Sequence, residues 1–176
     1  MGLIEIIEKS LNLLISAGAN CLPAPIPSEM ATGQSQDDWN FWLPVASKVT
    51  KQELEALEAE LGVVLSNQYK QLLQHKHFME LQISNVGFFS HPCMEWQASI
   101  KGEVFNGWPY ELLLGRGFLP FATYSDWGLW CFATHEPNAE GEYPVYLWDH
   151  DRPKTFQFVS ATLESALQAE VAKACT

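Results

Sequence analysis

The chain has 176 residues and sets 21 acidic side chains against 10 basic ones, a formal net charge of −11. At 47% hydrophobic and 12% aromatic it is too apolar for a disordered chain, and its length supports one buried core, two at most. So acidic a chain makes a poor binder of nucleic-acid phosphates or of an anionic membrane surface, since both need clustered Lys and Arg.

In chain order, Leu3, Ile4, Ile7, Leu11, Leu14 and Ile15 fall at helical spacing and predict an amphipathic helix over residues 3–15, ended at Gly18. Its polar face lacks the basic residues of a membrane-surface helix, so it is expected to pack on the rest of the chain. Residues 20–38 read as a connector. Pro23, Pro25 and Pro27 forbid helix, and Thr32, Gly33, Gln34, Ser35 and Gln36 read as flexible, either mobile or wrapped over the surface. Trp39, Phe41, Trp42 and Leu43 precede Pro44; core packing is the first expectation, an aromatic anchor for a partner the second. This divides the chain into residues 1–45, an N-terminal helix plus Pro-rich connector, and residues 46–176, the main domain, expected to form one structural unit.

Thr50-x-x-Glu53 is a capping box and opens a helix to about Leu61, with Leu54, Leu57 and Leu61 inward and Gly62 placed for a left-handed cap. A second helix starts near Ser66 and carries Tyr69, Leu72 and Leu73. Residues 81–89 read as strand broken at Asn85. Trp96, Ile100 and Val104 step by four and predict one or two helical turns ended by Trp108-Pro109. Leu112, Leu113 and Leu114 read as a strand or a buried connector, and periodicity does not choose between them.

Residues 117–159 hold the densest run of strand formers. Residues 118–123 are short and apolar. Residues 129–134 alternate, with Leu129, Cys131 and Ala133 opposite Trp130, Phe132 and Thr134. Residues 143–149 set Val145 and Leu147 opposite Tyr146 and Trp148, and residues 156–159 add a fourth strand. The links are too short for parallel crossovers, so the strands are antiparallel. A last helix opens at Ser160-Ala161-Thr162 and buries Leu163, Ala166, Leu167 and Val171.

Gly117-x-Leu119-Pro120-Phe121-Ala122, then Asp126-x-Gly128, then a strand ending Trp148-Asp149-His150-Asp151, resembles the SMI1/KNR4 family of the SUKH superfamily. Upstream, Leu54-Glu55-x-x-Glu58-x-x-Leu61-Gly62 followed by Leu65 and Tyr69 is similar to that family's opening helix pair. The similarity spans roughly residues 50–170, carried by the order of individually short motifs. The fold expected is α+β, an antiparallel sheet of about four to six strands with helices on one side. The resemblance implies a non-enzymatic binding protein: bacterial members are often immunity proteins that neutralise a toxin, frequently a nuclease, and fungal members are regulatory scaffolds.

Cys21, Cys93, Cys131 and Cys175 are widely and irregularly spaced, with no CxxC pair, so neither a disulfide framework nor a structural zinc site is expected. Cys131 reads as a buried thiol. The first residues show no basic, apolar, small-residue signal pattern and no apolar run is long enough to span a bilayer, so a reduced, cytoplasmic protein is expected. GxSxG, P-loop and HExxH motifs are absent. His75-x-His77 reads as helix C-terminal residues suited to the dipole or, less simply, as metal ligands without a third partner. Asp149-His150-Asp151 reads as a polar turn or as a seat for a metal or general base, although alternation sends His150 away from both acids. His91 and Cys93 have no orienting partner in sequence. No catalytic residue, metal or cofactor is expected.

Between Asp126 and Asp151 there are six acids and no Lys or Arg. Such a stretch is either a solubilising rim or a surface for a basic protein, such as a toxin or nuclease, whose nucleic-acid partner it would mimic in charge. On the second reading Asp126, Trp127, Glu140, Glu142, Asp149 and Asp151 face the partner. Two alternatives stand beside it: a small-ligand site or enzyme with an aromatic pocket near Trp127, Trp130, Trp148 and His150, and a regulatory adaptor that dimerises through residues 1–45. The oligomeric state is open.

Overall fold

The computed structural model describes residues 1–174. Helix α1 (Leu3–Ser16) buries Leu3, Ile6, Ile7 and Leu11 in the same core as the rest of the chain. Glu164 accepts from the Leu3 N–H at 3.1 Å, and Glu8 accepts from Lys76 at 2.9 Å and pairs with His75 at 2.6 Å, tying α1 at its start and near its middle.

The stretch read as a flexible connector is a small sheet. Strands β1 (Cys21–Leu22), β2 (Ala31–Gln36) and β3 (Trp39–Trp42) pair antiparallel in the order β1-β3-β2. Asp37 and Asp38 close the β2–β3 hairpin with φ of 49° and 68°. A two-residue turn with both central residues left-handed matches the twist of the flanking strands, and Asp tolerates that region better than most residues. Trp42 is fully buried and anchors the hairpin to the core, with its N–H donated to the Asn20 carbonyl at 3.0 Å.

Strand β4 (Val45–Ala46) pairs with β5 (Lys76–His77) across the helix pair α2 (Lys51–Leu61) and α3 (Asn67–His75). The capping box forms: Thr50 Oγ1 accepts from the Glu53 N–H at 3.2 Å, and Glu53 accepts from the Thr50 N–H at 2.8 Å. Gly62 takes φ 71°, where a Cβ would be strained, and its N–H caps the Glu58 carbonyl. Ser66 accepts from the Tyr69 N–H at 3.2 Å and starts α3.

The main sheet has six strands, β6 (Leu81–Ile83), β7 (Val86–Phe88), β8 (Phe118–Tyr124), β9 (Gly128–Ala133), β10 (Val145–Asp149) and β11 (Phe156–Ser160). Their order is β11-β10-β9-β8-β7-β6, with every neighbouring pair antiparallel. The architecture is α+β, as read from the sequence. Helix α4 (Trp96–Gly102) runs into a wider π-helical turn over Glu103–Gly107. Leu112 and Leu114, left open between strand and connector, lie in two 3-10 turns, Tyr110–Leu112 and Leu114–Arg116, with Leu113 between them. Helix α5 (Leu163–Ala174) closes the fold, and Thr162 accepts from the Ser165 N–H at 3.2 Å at its start.

Strand alternation splits the core. Trp130 and Phe132 of β9 face the helices and the large cluster that includes Leu57, Leu72, Phe121 and Leu167. Leu129, Cys131 and Ala133 face the other side, where Phe118, Trp148, Leu113 and Trp108 cover them. Both faces of β9 are therefore buried, which fixes its register, because a one-residue slip would exchange the two sets. Cys131 is fully buried and its thiol is held far above the usual range by burial; Cys175 lies outside the described residues.

Candidate functional site

The antiparallel order decides where each acidic residue goes. The turn between β8 and β9 holds Ser125, Asp126 and Trp127, and Asp149 pairs with Gly128 at the same end of the sheet. The His150 N–H donates to the Trp127 carbonyl at 3.2 Å, which joins the two turns. Asp126, Trp127, Asp149, His150 and Asp151 thus share one end. Glu136, Glu140 and Glu142 lie in the β9–β10 loop at the other end, a strand of six residues away, roughly 20 Å at the rise of an extended chain. The continuous acidic stretch of the sequence is two separate groups in space.

At the first end, Asp149 Oδ1 accepts from the Asp151 N–H at 2.8 Å, the polar-turn arrangement expected of this run. His150 Nε2 lies 3.4 Å from Asp151 Oδ1, so these two side chains do meet although strand alternation predicts otherwise; the bend of the turn after β10 brings them together. Asp126 and Asp151 are exposed and Asp149 is partly so, and none is ion-paired to a Lys or Arg among the described residues, although Arg152 and Lys154 follow in the same turn. Trp127 is 36% exposed and packs edge-on against Tyr124 at 5.4 Å.

At the second end, Asn138 Oδ1 accepts the N–H groups of both Glu140 and Glu142 and shapes the loop. Glu140 is exposed. Glu142 is not: it is 7% exposed, and the Gln68 N–H donates to its two carboxylate oxygens at 3.1 and 3.4 Å. Its charge sits on the N-terminus of α3, where unsatisfied N–H groups and the helix dipole favour an anion. The expectation that Glu142 faces a partner is corrected: the chain itself occupies that carboxylate.

The aromatic pocket does not assemble as expected. Trp148 is 2% exposed and donates Nε1–H to the Pro153 carbonyl at 3.1 Å on the minor-core face, whereas Trp130 is 1% exposed on the helix face. Trp127 stands apart at the turn. Among the described residues the three rings therefore lie on two opposite faces of the sheet and at a turn.

The other candidates have structural partners. His75 pairs with Glu8, and Lys76 with His75 holds the Glu8 carboxyl below the usual range. His77 turns inward and stacks on His91. Cys93 is half-buried, and burial with nearby Glu29 pushes its thiol up, the opposite of an activated nucleophile. Among the described residues no group of three or more His, Cys, Asp or Glu is placed to hold a metal ion. No helix of the described chain is long and apolar enough to cross a membrane.

The family model described as SMI1 / KNR4 (SUKH-1) matches residues 48–169. The chain belongs to the SMI1/KNR4 family. The match starts just before the α2 capping box and ends within α5, so it contains the six-stranded sheet and both acidic ends. No curated protein matches the chain. Within the SMI1/KNR4 unit, sequence reading missed Glu142 as a helix cap. Its only signal was a single acid ahead of an apolar strand, and its partner lies 74 residues upstream.

Proposed function

We propose that the chain is a non-enzymatic protein-binding module of the immunity type, which neutralises a cognate toxin in the cytoplasm by direct contact. Membership of the SMI1/KNR4 family supports the class of function. The observation that carries the surface is the clustering of Asp126, Asp149 and Asp151 around the partly exposed Trp127 on two joined turns. Turns that leave from interior strands and are bonded to each other cost less ordering entropy on binding than free loops. Carboxylates with no Lys or Arg partner raise the encounter rate with a basic protein, and a central Trp supplies the apolar anchor that charge alone lacks. A nuclease fits this chemistry, because a surface that receives phosphates receives carboxylates too. Glu140 belongs to a secondary contact at most, since it lies at the far end of the strands.

The test is affinity capture from lysate of the source organism at low and high salt, followed by co-expression of the captured protein with this chain. A basic protein retained at low salt, weakened at high salt, and toxic to cells unless this chain is present supports the reading. Retention that is insensitive to salt, or a captured protein whose expression is harmless alone, contradicts it.

A further inference from the structure

A groove of about 440 Å³ runs between α1, the edge strand β6 and the C-terminal half of α5. Ile6 and Ile83 form its buried floor, at 1% and 2% exposure, Val171 closes one side, and Leu13 stands at the rim, 59% exposed. The size and apolar lining are those of a small-molecule site, which ordinarily adds a few polar groups that orient the ligand. Of the polar residues here, Gln82 is turned onto its own strand end, its amide donating to the Ser84 carbonyl at 2.6 Å, which leaves the α1 pair. Lys9 and Ser10 line the groove, and among the described residues neither side chain has an ion pair or hydrogen bond. Lys51, Lys70, Lys76 and Lys101, by contrast, each hold a carboxylate within 3.5 Å. Lys48 and Lys154 are also without an ion pair among the described residues, but neither lines this groove; Lys9 does.

We propose that this groove binds a single-chain amphiphile with an anionic head, of the fatty-acid class. The acyl tail lies along Ile6, Leu13 and Ile83, and the carboxylate meets Lys9 Nζ and Ser10 Oγ. Charge decides among occupants. A second copy brings another −11 to the contact, an anionic bilayer repels the whole molecule, and a basic protein segment meets Lys9 with like charge. A free anionic amphiphile carries one charge, which Lys9 neutralises, and buries its tail. The Ser84 end of the groove neighbours the acidic turn, because the Ser125 N–H donates to the Asn85 carbonyl at 2.7 Å, but none of the lining residues is acidic and Lys9 and Ser10 stand on α1.

The full chain is titrated calorimetrically with decanoate and with decyltrimethylammonium, both below their micellar concentrations, and the site is mapped by amide chemical shifts. Saturable one-to-one binding of decanoate is expected, with shifts at residues 9–14 and 82–84. Decyltrimethylammonium and the variant Lys9→Glu each bind at least about tenfold more weakly, the scale of one charge-assisted hydrogen bond. Leu13→Asp abolishes binding. Lys9 and Leu13 are both exposed, so the two variants keep the fold, which circular dichroism checks. Equal affinity for the two head groups, no effect of Lys9→Glu, or no saturable binding overturns the proposal. So does a dimer that Leu13→Asp converts to monomer, or binding to phosphatidylglycerol vesicles without binding to decanoate.

Discussion

His77 and His91 stack at 4.6 Å with ring planes 17° apart. The Lys48 N–H donates to His77 Nε2 at 3.4 Å, so the proton of a neutral His77 sits on Nδ1, 3.3 Å from the His91 carbonyl. His91 is fully buried, its Nδ1 lies 3.2 Å from the Lys76 carbonyl, and its Nε2 is unpartnered. Burial, then the neighbouring His77, pushes His91 down to about 3, and burial also lowers His77. The unfolded chain binds a proton at each site near pH 6.5, where the folded chain does not. Stability from the pair is therefore complete above about pH 6.5 and is lost as pH falls toward 3, with a slope of at most about 1.4 kcal/mol per pH unit for each group. Urea melts at pH 7.5 and 5 are expected to show a lower unfolding free energy at pH 5, while the His91 ring protons do not titrate between those values. Equal stability at both pH values, or a His91 titration near 6.5, contradicts this. The HxH spacing was legible in the sequence, but its meaning was not, because the ring that His77 meets is 14 residues downstream. A second residue-scale prediction is local: Thr50→Ala removes one half of the capping box and lowers stability by about 1 kcal/mol in a denaturant melt.

Among the elements, helices were the easiest to read and short strands the hardest. The α2 start, its Gly62 stop and the α3 start at Ser66 rest on contacts between residues three or four apart, and such contacts are written in local sequence. The β2–β3 hairpin was not legible, because Ala31–Gln36 is exposed throughout and shows no alternation; its order comes from the Asp37-Asp38 turn and from Trp42 in the core. Asp38→Gly relieves the left-handed strain there and is expected to raise stability by a few tenths to about 1 kcal/mol by thermal melt. Helix α3 gives the sharper test, because it separates structural from exposed acids. Glu142→Ala leaves the Gln68 N–H without its anionic cap and costs about 1–2 kcal/mol, whereas Glu140→Ala changes stability by less than about 0.5 kcal/mol. Equal effects of the two substitutions in parallel denaturant melts would remove the capping role assigned to Glu142.

For the whole molecule, the sheet topology turns one acidic stretch into two. The four-strand alternation over residues 117–159 was legible, because Val, Trp and Phe recur with period two, and it placed Trp130 and Trp148 on their faces correctly. The six acids between those strands read as one surface, since sequence proximity hides that alternate loops of a meander leave from opposite ends. Asp126 and Asp149 come together because Gly128 pairs with Asp149; Glu140 is carried away because Val145 pairs with Phe132. The most direct measurement of the proposed function is therefore the affinity for the captured partner of two charge-reversed variants. Asp126→Lys/Asp149→Lys/Asp151→Lys is expected to weaken binding at least about tenfold at low salt and to flatten its salt dependence, while Glu136→Lys/Glu140→Lys stays within about twofold. Unchanged affinity in the first variant, or an equal loss in both, would contradict the assignment of the Asp126–Asp151 end as the binding surface.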